Sequence, residues 1–134
     1  MPLVSPSSTS PQVTRLADKD LVFRTVPSDA YQGAALARTL IERDTRSVAV
    51  TYLANDYGTG LAESFRAEFE AQGGTITGFQ QHDGSKASYR SELSRLARGG
   101  ADTLVIFDYG DGSGLTILRQ SLENGFFRHF VGGD

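Results

Sequence analysis

Hydroxyl, phenol and carboxylate side chains occur in four short segments of the chain, and together they could bind a small zwitterion. Hydroxyl and glycine N–H groups donate hydrogen bonds to a carboxylate, whereas an acidic side chain and a tyrosine can hold an ammonium group. We therefore expect ligand capture rather than catalysis from these segments. The candidate ligand-binding residues are Ser7, Ser8, Thr9, Tyr57, Tyr109 and Asp134.

Each candidate also has a purely structural interpretation. Residues 5–20 are rich in serine, threonine and proline, which is typical of a flexible linker. The two tyrosines each follow an aspartate at a predicted strand end, and they could serve only as rim or packing residues. Asp134 could be no more than an acid at the chain end, and Asp56 and Asp108 could simply place negative charge near helix N-termini.

The sequence offers little for catalysis, phosphate binding or metal binding. Cysteine is absent, and His82 and His129 are far apart, with His129 in a predicted strand. The glycine-rich segment 110–114 fits neither phosphate-binding motif, and Asp108 and Asp111 would repel phosphate. No histidine or carboxylate spacing matches a dedicated metal site. We therefore predict no enzyme activity, no cofactor and no metal.

The size and charge of the chain exclude further classes of partner and of membrane protein. The chain has 134 residues and a net charge of -3, so there is no electrostatic reason to expect nucleic acid or an anionic membrane as a partner. No apolar run approaches the roughly 20 residues that span a bilayer. No segment has the pattern of a signal peptide. Because strand-like apolar runs lie close to both ends, we expect this chain to be part of a longer protein.

The turn at residues 55–60 is the segment around which the predicted elements are arranged. It follows an apolar, β-branched run at 47–53, which indicates a buried parallel strand. It precedes a helix predicted over 60–72, whose inner stripe repeats every four residues. Its two glycines would relax the backbone there. In an open α/β sheet, such turns lie at the carboxyl ends of the strands, where ligands bind.

The rest of the chain continues the alternation of strand and helix. We predict further helices over 30–43, over a segment capped by Ser88, and over a segment whose apolar face is Leu115, Leu118 and Leu122. Further strands are predicted at 75–79, 103–107 and 127–131, with a polar loop at 81–87. This rhythm predicts an α/β fold, a three-layer Rossmann-like or flavodoxin-like parallel sheet with right-handed crossovers.

The order of several short motifs resembles one protein family, the type I periplasmic solute-binding proteins of ABC transporters, in the branched-chain amino-acid (Leu/Ile/Val) binding group. The resemblance spans essentially the whole chain. Each motif is weak alone, and their order and spacing carry the match. The motifs are Ser-Pro-Ser-Ser-Thr-Ser-Pro at 5–11, Val-Phe-Arg-Thr at 22–25 with Asp29 and Gln32-Gly33, Asn-Asp-Tyr-Gly-Thr-Gly-Leu at 55–61, Ser88-Tyr89 with Leu93, Tyr109, Ile-Leu-Arg-Gln at 117–120 and Phe-Val-Gly-Gly-Asp at 130–134.

The resemblance implies one lobe of a two-lobed fold that holds its ligand in the cleft between the lobes. Residues 1–21 would be the tail of the first lobe, and their Ser/Thr loop at 7–9 would grip the ligand carboxylate. Residues 22–134 would be the second lobe, truncated at its C-terminal end, with residues 22–27 as one hinge crossing. Tyr57, Tyr109 and Asp134 would face the cleft, and Asp134 would meet the ammonium group.

The implied function is the capture of an amino acid or similar small carboxylate for an ABC transporter. The partners would be the small-molecule ligand and the permease subunits, on the periplasmic or extracellular face of the membrane. A chain with half of the clamp would bind weakly or not at all and could self-associate through an exposed apolar hinge surface. Two alternatives stay open: a ligand-sensing receptor of the same fold, and a flavodoxin-like nucleotide-binding enzyme domain.

Overall fold

A computed structural model describes residues 1–133, so the predicted ligand residue Asp134 lies outside the described part of the chain. The fold is α/β, as predicted. A short 3-10 helix at Pro11–Arg15 lies within the segment 5–20. The strands and helices are β1 (Leu3–Ser5), β2 (Val22–Arg24), α1 (Asp29–Glu42), β3 (Ser47–Leu53), α2 (Asp56–Ala71), β4 (Thr75–His82), α3 (Arg90–Ala97), β5 (Thr103–Phe107), α4 (Ser113–Asn124) and β6 (His129–Gly132).

The main sheet has four strands in the order β4-β3-β5-β6, and every neighbouring pair is parallel. Within this sheet the first strand in sequence lies between the second and the third, which is the flavodoxin-like arrangement. The two-stranded parallel pair β1–β2 stands apart from it. The prediction of a parallel sheet built from βαβ units is confirmed.

Alternating side chains on the central strands build two cores, one on each face of the sheet. In β5, Val105 and Phe107 pack with α1 and α2, whereas Leu104 and Ile106 pack with α3 and α4. All four are buried, as expected for a parallel strand covered by helices on both faces. The result is three layers, with the carboxyl ends of β3 and β5 opening toward the loops that carry the candidate residues.

Helix α2 begins at Asp56, four residues before the predicted start at residue 60. Asn55 is its N-cap, and the Asn55 side chain accepts a hydrogen bond from the Gly58 backbone N–H at 2.7 Å. Tyr57 and Gly58 therefore lie in the first helical turn rather than in a relaxed loop. The prediction failed because it treated the two glycines as breakers and overlooked the asparagine cap.

Strand β4 continues to His82, beyond the predicted 75–79 and into the predicted polar loop. The polar end of this strand stays paired because Leu53 of β3 lies opposite His82 in the ladder. Ser88 is not the N-cap of α3. Tyr89 occupies that position, and its backbone N–H donates to Gln120 Oε1 at 2.8 Å.

The buried face of α4 also differs from the prediction. Leu115 and Leu122 are 60% and 59% exposed, while Ile117, Gln120 and Ser121 face the core. Gln120 is drawn inward because its amide bonds both the Tyr89 N–H and the Ala87 carbonyl at the start of α3. The last strand starts at His129 instead of residue 127, and Phe127 is buried just before it.

The ion pair between Lys86 and Glu92 predicts a pH dependence of stability. The hydrogen bond from Lys86 lowers the pKa of Glu92 from 4.5 to about 2. A lowered pKa stabilises the fold above pH 4.5, and this contribution is lost as the pH falls toward about 2. The Lys86 side chain is 48% exposed, so solvent screening limits the effect to about 1 kcal/mol or less.

Urea unfolding of the wild type and of Glu92→Gln between pH 5 and pH 2.5 measures this contribution. We expect the stability difference between the two proteins to shrink as the pH falls. A difference that stays constant over this range would contradict the assignment of the ion pair.

Candidate functional site

Five of the six predicted ligand residues line one cleft in the structure. The cleft lies between the N-terminal loop and the carboxyl edge of the main sheet, and its volume is about 780 Å³. The sixth, Asp134, lies outside the described residues. The residues around the cleft are Pro6, Ser7, Ser8, Thr9, Ser10, Gln12, Val13, Leu16, Val26, Asp56, Tyr57 and Tyr109.

The two predicted tyrosines form one wall of the cleft. Their rings stack with centroids 5.0 Å apart and planes 14° apart. Asn55 joins the two turns that carry them, because its amide group caps α2 and its Nδ2 donates to Tyr109 Oη at 3.4 Å. Asn55 was predicted to lie in the turn at 55–60, but the Asn-Asp-Tyr order gave no signal for its contact with Tyr109.

The Ser/Thr loop is held in place by groups distant in sequence, which argues against a free linker. Arg24 of β2 donates from Nη1 to the Ser10 carbonyl at 2.8 Å and to the Thr9 carbonyl at 3.3 Å. Its Nη2 donates to the Thr14 hydroxyl. The Asp29 backbone N–H at the start of α1 donates to the Thr9 carbonyl at 2.9 Å.

Within this loop the serines also bond one another. The Ser5 hydroxyl donates to Ser8 Oγ at 2.6 Å, and the Ser8 backbone N–H donates to Ser5 Oγ at 3.0 Å. This is a local turn of the kind that serine side chains support. The hydroxyl oxygen of Ser8 thus has a defined position at the cleft.

Replacing Arg24 by methionine is expected to loosen the Ser/Thr loop. The variant keeps the length of the side chain but removes the donors to Thr9, Ser10 and Thr14. Losing these bonds should lower the free energy of unfolding by about 1–3 kcal/mol. Amide hydrogen exchange at Asp29, whose N–H shares the Thr9 carbonyl, should accelerate.

The matched control is Arg46→Met, because the Arg46 side chain makes an exposed ion pair with Asp44. We expect a change within about 0.5 kcal/mol for this control. Equal effects of the two substitutions would show that Arg24 does not organise the loop.

A buried network of hydrogen-bonded polar side chains adjoins Tyr109. His82 Nδ1 lies 2.8 Å from Thr51 Oγ1, and His82 Nε2 lies 3.0 Å from Asp108 Oδ2. Ser113 donates its hydroxyl hydrogen to the same Asp108 oxygen. Because a carboxylate only accepts, Nε2 of the histidine carries a hydrogen. Because His82 was predicted to lie in the polar loop at 81–87, the sequence did not indicate these hydrogen bonds.

The connectivity of Thr51, His82 and Asp108 is that of a nucleophilic triad, but its burial removes it from any substrate. Thr51 lies within β3 and is 3% exposed, and the side chains of His82 and Asp108 are 1% and 2% exposed. A nucleophile must reach the reacting atom of its substrate. The arrangement is therefore suited to holding structure.

The electrostatic character of the cleft favours a small zwitterion over phosphate. Among its lining residues in the described part of the chain, Asp56 is the one charged group, and no lysine or arginine is present. Phosphate sites generally rely on cations or a glycine-rich nest of N–H groups. Hydroxyls on one side and phenol rings on the other suit a carboxylate and an ammonium group.

Within residues 1–133, neither a clustered metal site nor a membrane-spanning helix is found. No group of three or more histidine, cysteine, aspartate or glutamate side chains lies close enough together to hold a metal ion. None of the helices in this range combines the length and apolarity needed to cross a bilayer.

The chain as a whole is similar to proteins of one family. Residues 1–132 match the periplasmic binding protein family. A leucine-, isoleucine-, valine-, threonine- and alanine-binding protein of Pseudomonas aeruginosa is 28% identical over 131 residues, which cover 97% of this chain and 35% of that protein. A probable metabotropic glutamate receptor of Caenorhabditis elegans is 28% identical over 111 residues, which cover 78% of this chain and 11% of the receptor.

The fold comparison agrees with the sequence comparison. The crystal structure of a leucine-binding protein from Thermotoga maritima superimposes with a TM-score of 0.86 at 26% identity, covering 98% of this chain and 37% of that one. The chain thus spans about a third of the length of the two binding proteins. Since the family match extends over nearly all of its residues, the chain belongs to the periplasmic binding protein family.

Proposed function

We propose that this chain is part of the extracytoplasmic solute-binding component of an ABC transporter, which captures an amino acid or a similar small carboxylate. The observation that carries the proposal is the cleft in which the Ser/Thr loop faces the stacked Tyr57 and Tyr109. Membership of the periplasmic binding protein family and the names of the two binding-protein relatives support it. Those relatives bind solutes, which favours a non-enzymatic role.

In the proposed complex, each side of the cleft binds a different end of the ligand. Ser7, Ser8 and Thr9 would hold the carboxylate through hydroxyl and backbone N–H groups. Tyr57 and Tyr109 would cover the ammonium end, where Asp134 would supply the negative charge. The two rings stack on each other, and aromatic faces attract cations.

On this proposal residues 1–21 belong to the first lobe of the whole protein and residues 22–134 to the second. The ligand would bind between open lobes and favour the closed state through the contacts that only this state offers. The closed protein would then dock on a membrane permease, in the periplasm or at the extracellular face.

Exposed apolar residues support the further proposal that the chain by itself self-associates. Leu3, Val4 and Phe23 of the β1–β2 pair are 60%, 59% and 51% exposed. Val4 and Phe23 are partners in the β1–β2 ladder, and exposed apolar neighbours of this kind often mark an interaction site. Sedimentation velocity over a series of protein concentrations measures the association directly.

Two-dimensional NMR of the labelled chain, titrated to millimolar concentrations of L-leucine, ADP and FMN, tests the proposed function. We expect leucine to shift the resonances of Tyr57, Tyr109 and the loop at 7–9 with weak affinity, because one lobe supplies part of the contacts. Tyr57→Ala should weaken this response, while Tyr31→Ala, which removes a tyrosine that is 75% exposed on α1, should not.

Two results would contradict the proposal. Shifts confined to residues 110–114 with ADP or FMN would favour the nucleotide-binding enzyme domain. Micromolar affinity for leucine in a monomeric chain would contradict the two-lobed clamp, since half of the contacts would then suffice.

A ligand-sensing receptor of the same fold is the second candidate, and the similarity to the probable metabotropic glutamate receptor favours it. Both candidates use the same cleft and the same ligand chemistry. Adding the full-length protein to vesicles that carry the cognate permease, and measuring ligand uptake, separates them. Ligand-dependent uptake would support transport, and its absence in a protein that binds the ligand would support sensing.

A further inference from the structure

We infer that His82 is a positioning residue for the cleft, which acts through Asp108 to fix the location of Tyr109. The importance of Tyr109 rests on the proposed function, but the geometry that places it does not. His82 itself does not line the cleft, and its side chain is 1% exposed. Any influence of His82 on a ligand must therefore pass through the residues that it contacts.

The carboxylate of Asp108 is the centre of this arrangement. Its Oδ1 accepts the Tyr109 backbone N–H at 2.7 Å. Its Oδ2 accepts from His82 Nε2 at 3.0 Å and from the Ser113 hydroxyl. Both oxygens are thus acceptors at the same time, and the plane of the carboxylate is set by donors on either side.

These bonds hold the turn at 109–112 from both of its ends. Tyr109 is its first residue, and Ser113 is the first residue of α4 directly after it. Between them, a Cβ added to Gly110 would have no neighbour within 4 Å, and the Gly112 backbone N–H closes the turn by donating to the Tyr109 carbonyl at 3.2 Å. The Tyr109 backbone is thus held at its N–H by Asp108 and at its carbonyl by Gly112, while its ring stacks on Tyr57.

The Nε2–H donor of His82 and the Ser113 hydroxyl together keep Oδ2 of the carboxylate in this orientation, and His82 is the donor that reaches it from the neighbouring region of the sheet. A buried carboxylate that loses a hydrogen-bond donor is destabilised, because its desolvation is no longer compensated. We expect Asp108 to rotate toward water when that donor is removed, and to pull the backbone of Tyr109 with it. The ring stack with Tyr57 and the contact with Asn55 would then be lost.

Two substitutions of similar polarity separate positioning from a general structural role. The amide nitrogen of glutamine can reach the place of Nε2, so His82→Gln retains a donor to Asp108. The shorter asparagine reaches only the place of Nδ1, so His82→Asn retains the partner of Thr51 and leaves Asp108 without that donor. Thr51→Val removes only the opposite bond and serves as the control.

The readouts are the Tyr109 amide proton shift and the nuclear Overhauser effects between the rings of Tyr57 and Tyr109, recorded without ligand. We expect His82→Asn to change both, and His82→Gln and Thr51→Val to leave both near their wild-type values. Affinity for L-leucine should fall about fivefold in His82→Asn relative to His82→Gln. Identical ligand-free spectra for the two histidine variants would overturn the inference.

A measurement on the wild type covers the case in which His82→Asn does not fold. Tyr109 is 49% exposed, and its amide lies in a turn. Its hydrogen bond to Asp108 should nevertheless slow amide exchange at least about tenfold relative to an unstructured amide. Exchange at the unprotected rate would overturn the inference. Failure to bind leucine, with these ligand-free results as expected, would contradict the proposed function alone.

Discussion

Replacing Gly58 by alanine is expected to lower the free energy of unfolding by about 3 kcal/mol or more. A Cβ at this position would lie 2.3 Å from the Leu53 carbonyl oxygen and 2.8 Å from the Leu53 backbone nitrogen. Both are backbone atoms at the end of β3, so no side chain can rotate away to relieve the contact. The first turn of α2 would have to move, and Tyr57 lies in that turn.

The control for this substitution is Gly110→Ala. A Cβ there meets nothing within 4 Å, and Gly110 does not have a positive φ. We expect its stability to stay within about 0.5 kcal/mol of the wild type. Urea unfolding followed by circular dichroism measures both variants. Equal stability of the two would show that α2 does not pack this closely against the end of β3.

The effect at Gly58 also explains why the start of α2 was hard to predict. A glycine near a strand end indicates a turn in most sequences, because glycine relieves backbone restrictions. Here the backbone is helical, and glycine is needed for close approach instead. The distinction depends on how near β3 lies, and sequence patterns do not contain that distance.

Elements marked by strong local sequence signals were predicted with bounds accurate to about one residue. Strands β3 and β5 have the predicted bounds because continuous β-branched and apolar runs are typical of parallel strands covered by helices. Helix α1 starts at Asp29, one residue before the predicted start, because Ser28 caps it and accepts from the Ala30 N–H. Local sequence signals were sufficient to predict the bounds of these elements.

Elements shaped by contacts between distant residues were predicted less well. The length of β4 depends on His82, whose partner Asp108 is 26 positions away in the chain. The inner face of α4 depends on Gln120, whose partner Tyr89 is 31 positions away. In both cases a polar side chain is buried because its hydrogen bonds are satisfied, and a hydrophobic pattern cannot indicate that.

In the candidate site, too, some features could be predicted from the sequence and others depend on contacts between distant residues. The two tyrosines meet because carboxyl ends of neighbouring parallel strands lie at one edge of the sheet, which topology alone predicts. The position of the Ser/Thr loop opposite them depends on Arg24, which bonds the Thr9 and Ser10 carbonyls. The hydroxyl side chains of the loop and the resemblance to solute-binding proteins both implied a ligand role for it, but sequence spacing gave no indication of the arginine that holds it there.

Replacing Phe65 by alanine is the second substitution with a large expected effect, a loss of about 3–5 kcal/mol in the free energy of unfolding. Phe65 is fully buried on the inner face of α2. Its ring stacks with Phe69 at 5.2 Å between centroids and meets the edge of Phe107 at 5.5 Å. Removing it leaves a cavity between the helix and β5 that these rigid rings cannot close.

The same substitution at Phe23 provides the control, because Phe23 of β2 is 51% exposed and should cost less than about 1 kcal/mol. Phe65→Leu should fall between the two, since leucine refills part of the cavity. The comparison bears on function because α2 carries Tyr57 at its first turn, so a helix that is loosened at Phe65 also loses the wall of the cleft. Similar stability of the Phe65 and Phe23 alanine variants would show that α2 is not held to the sheet by this aromatic core.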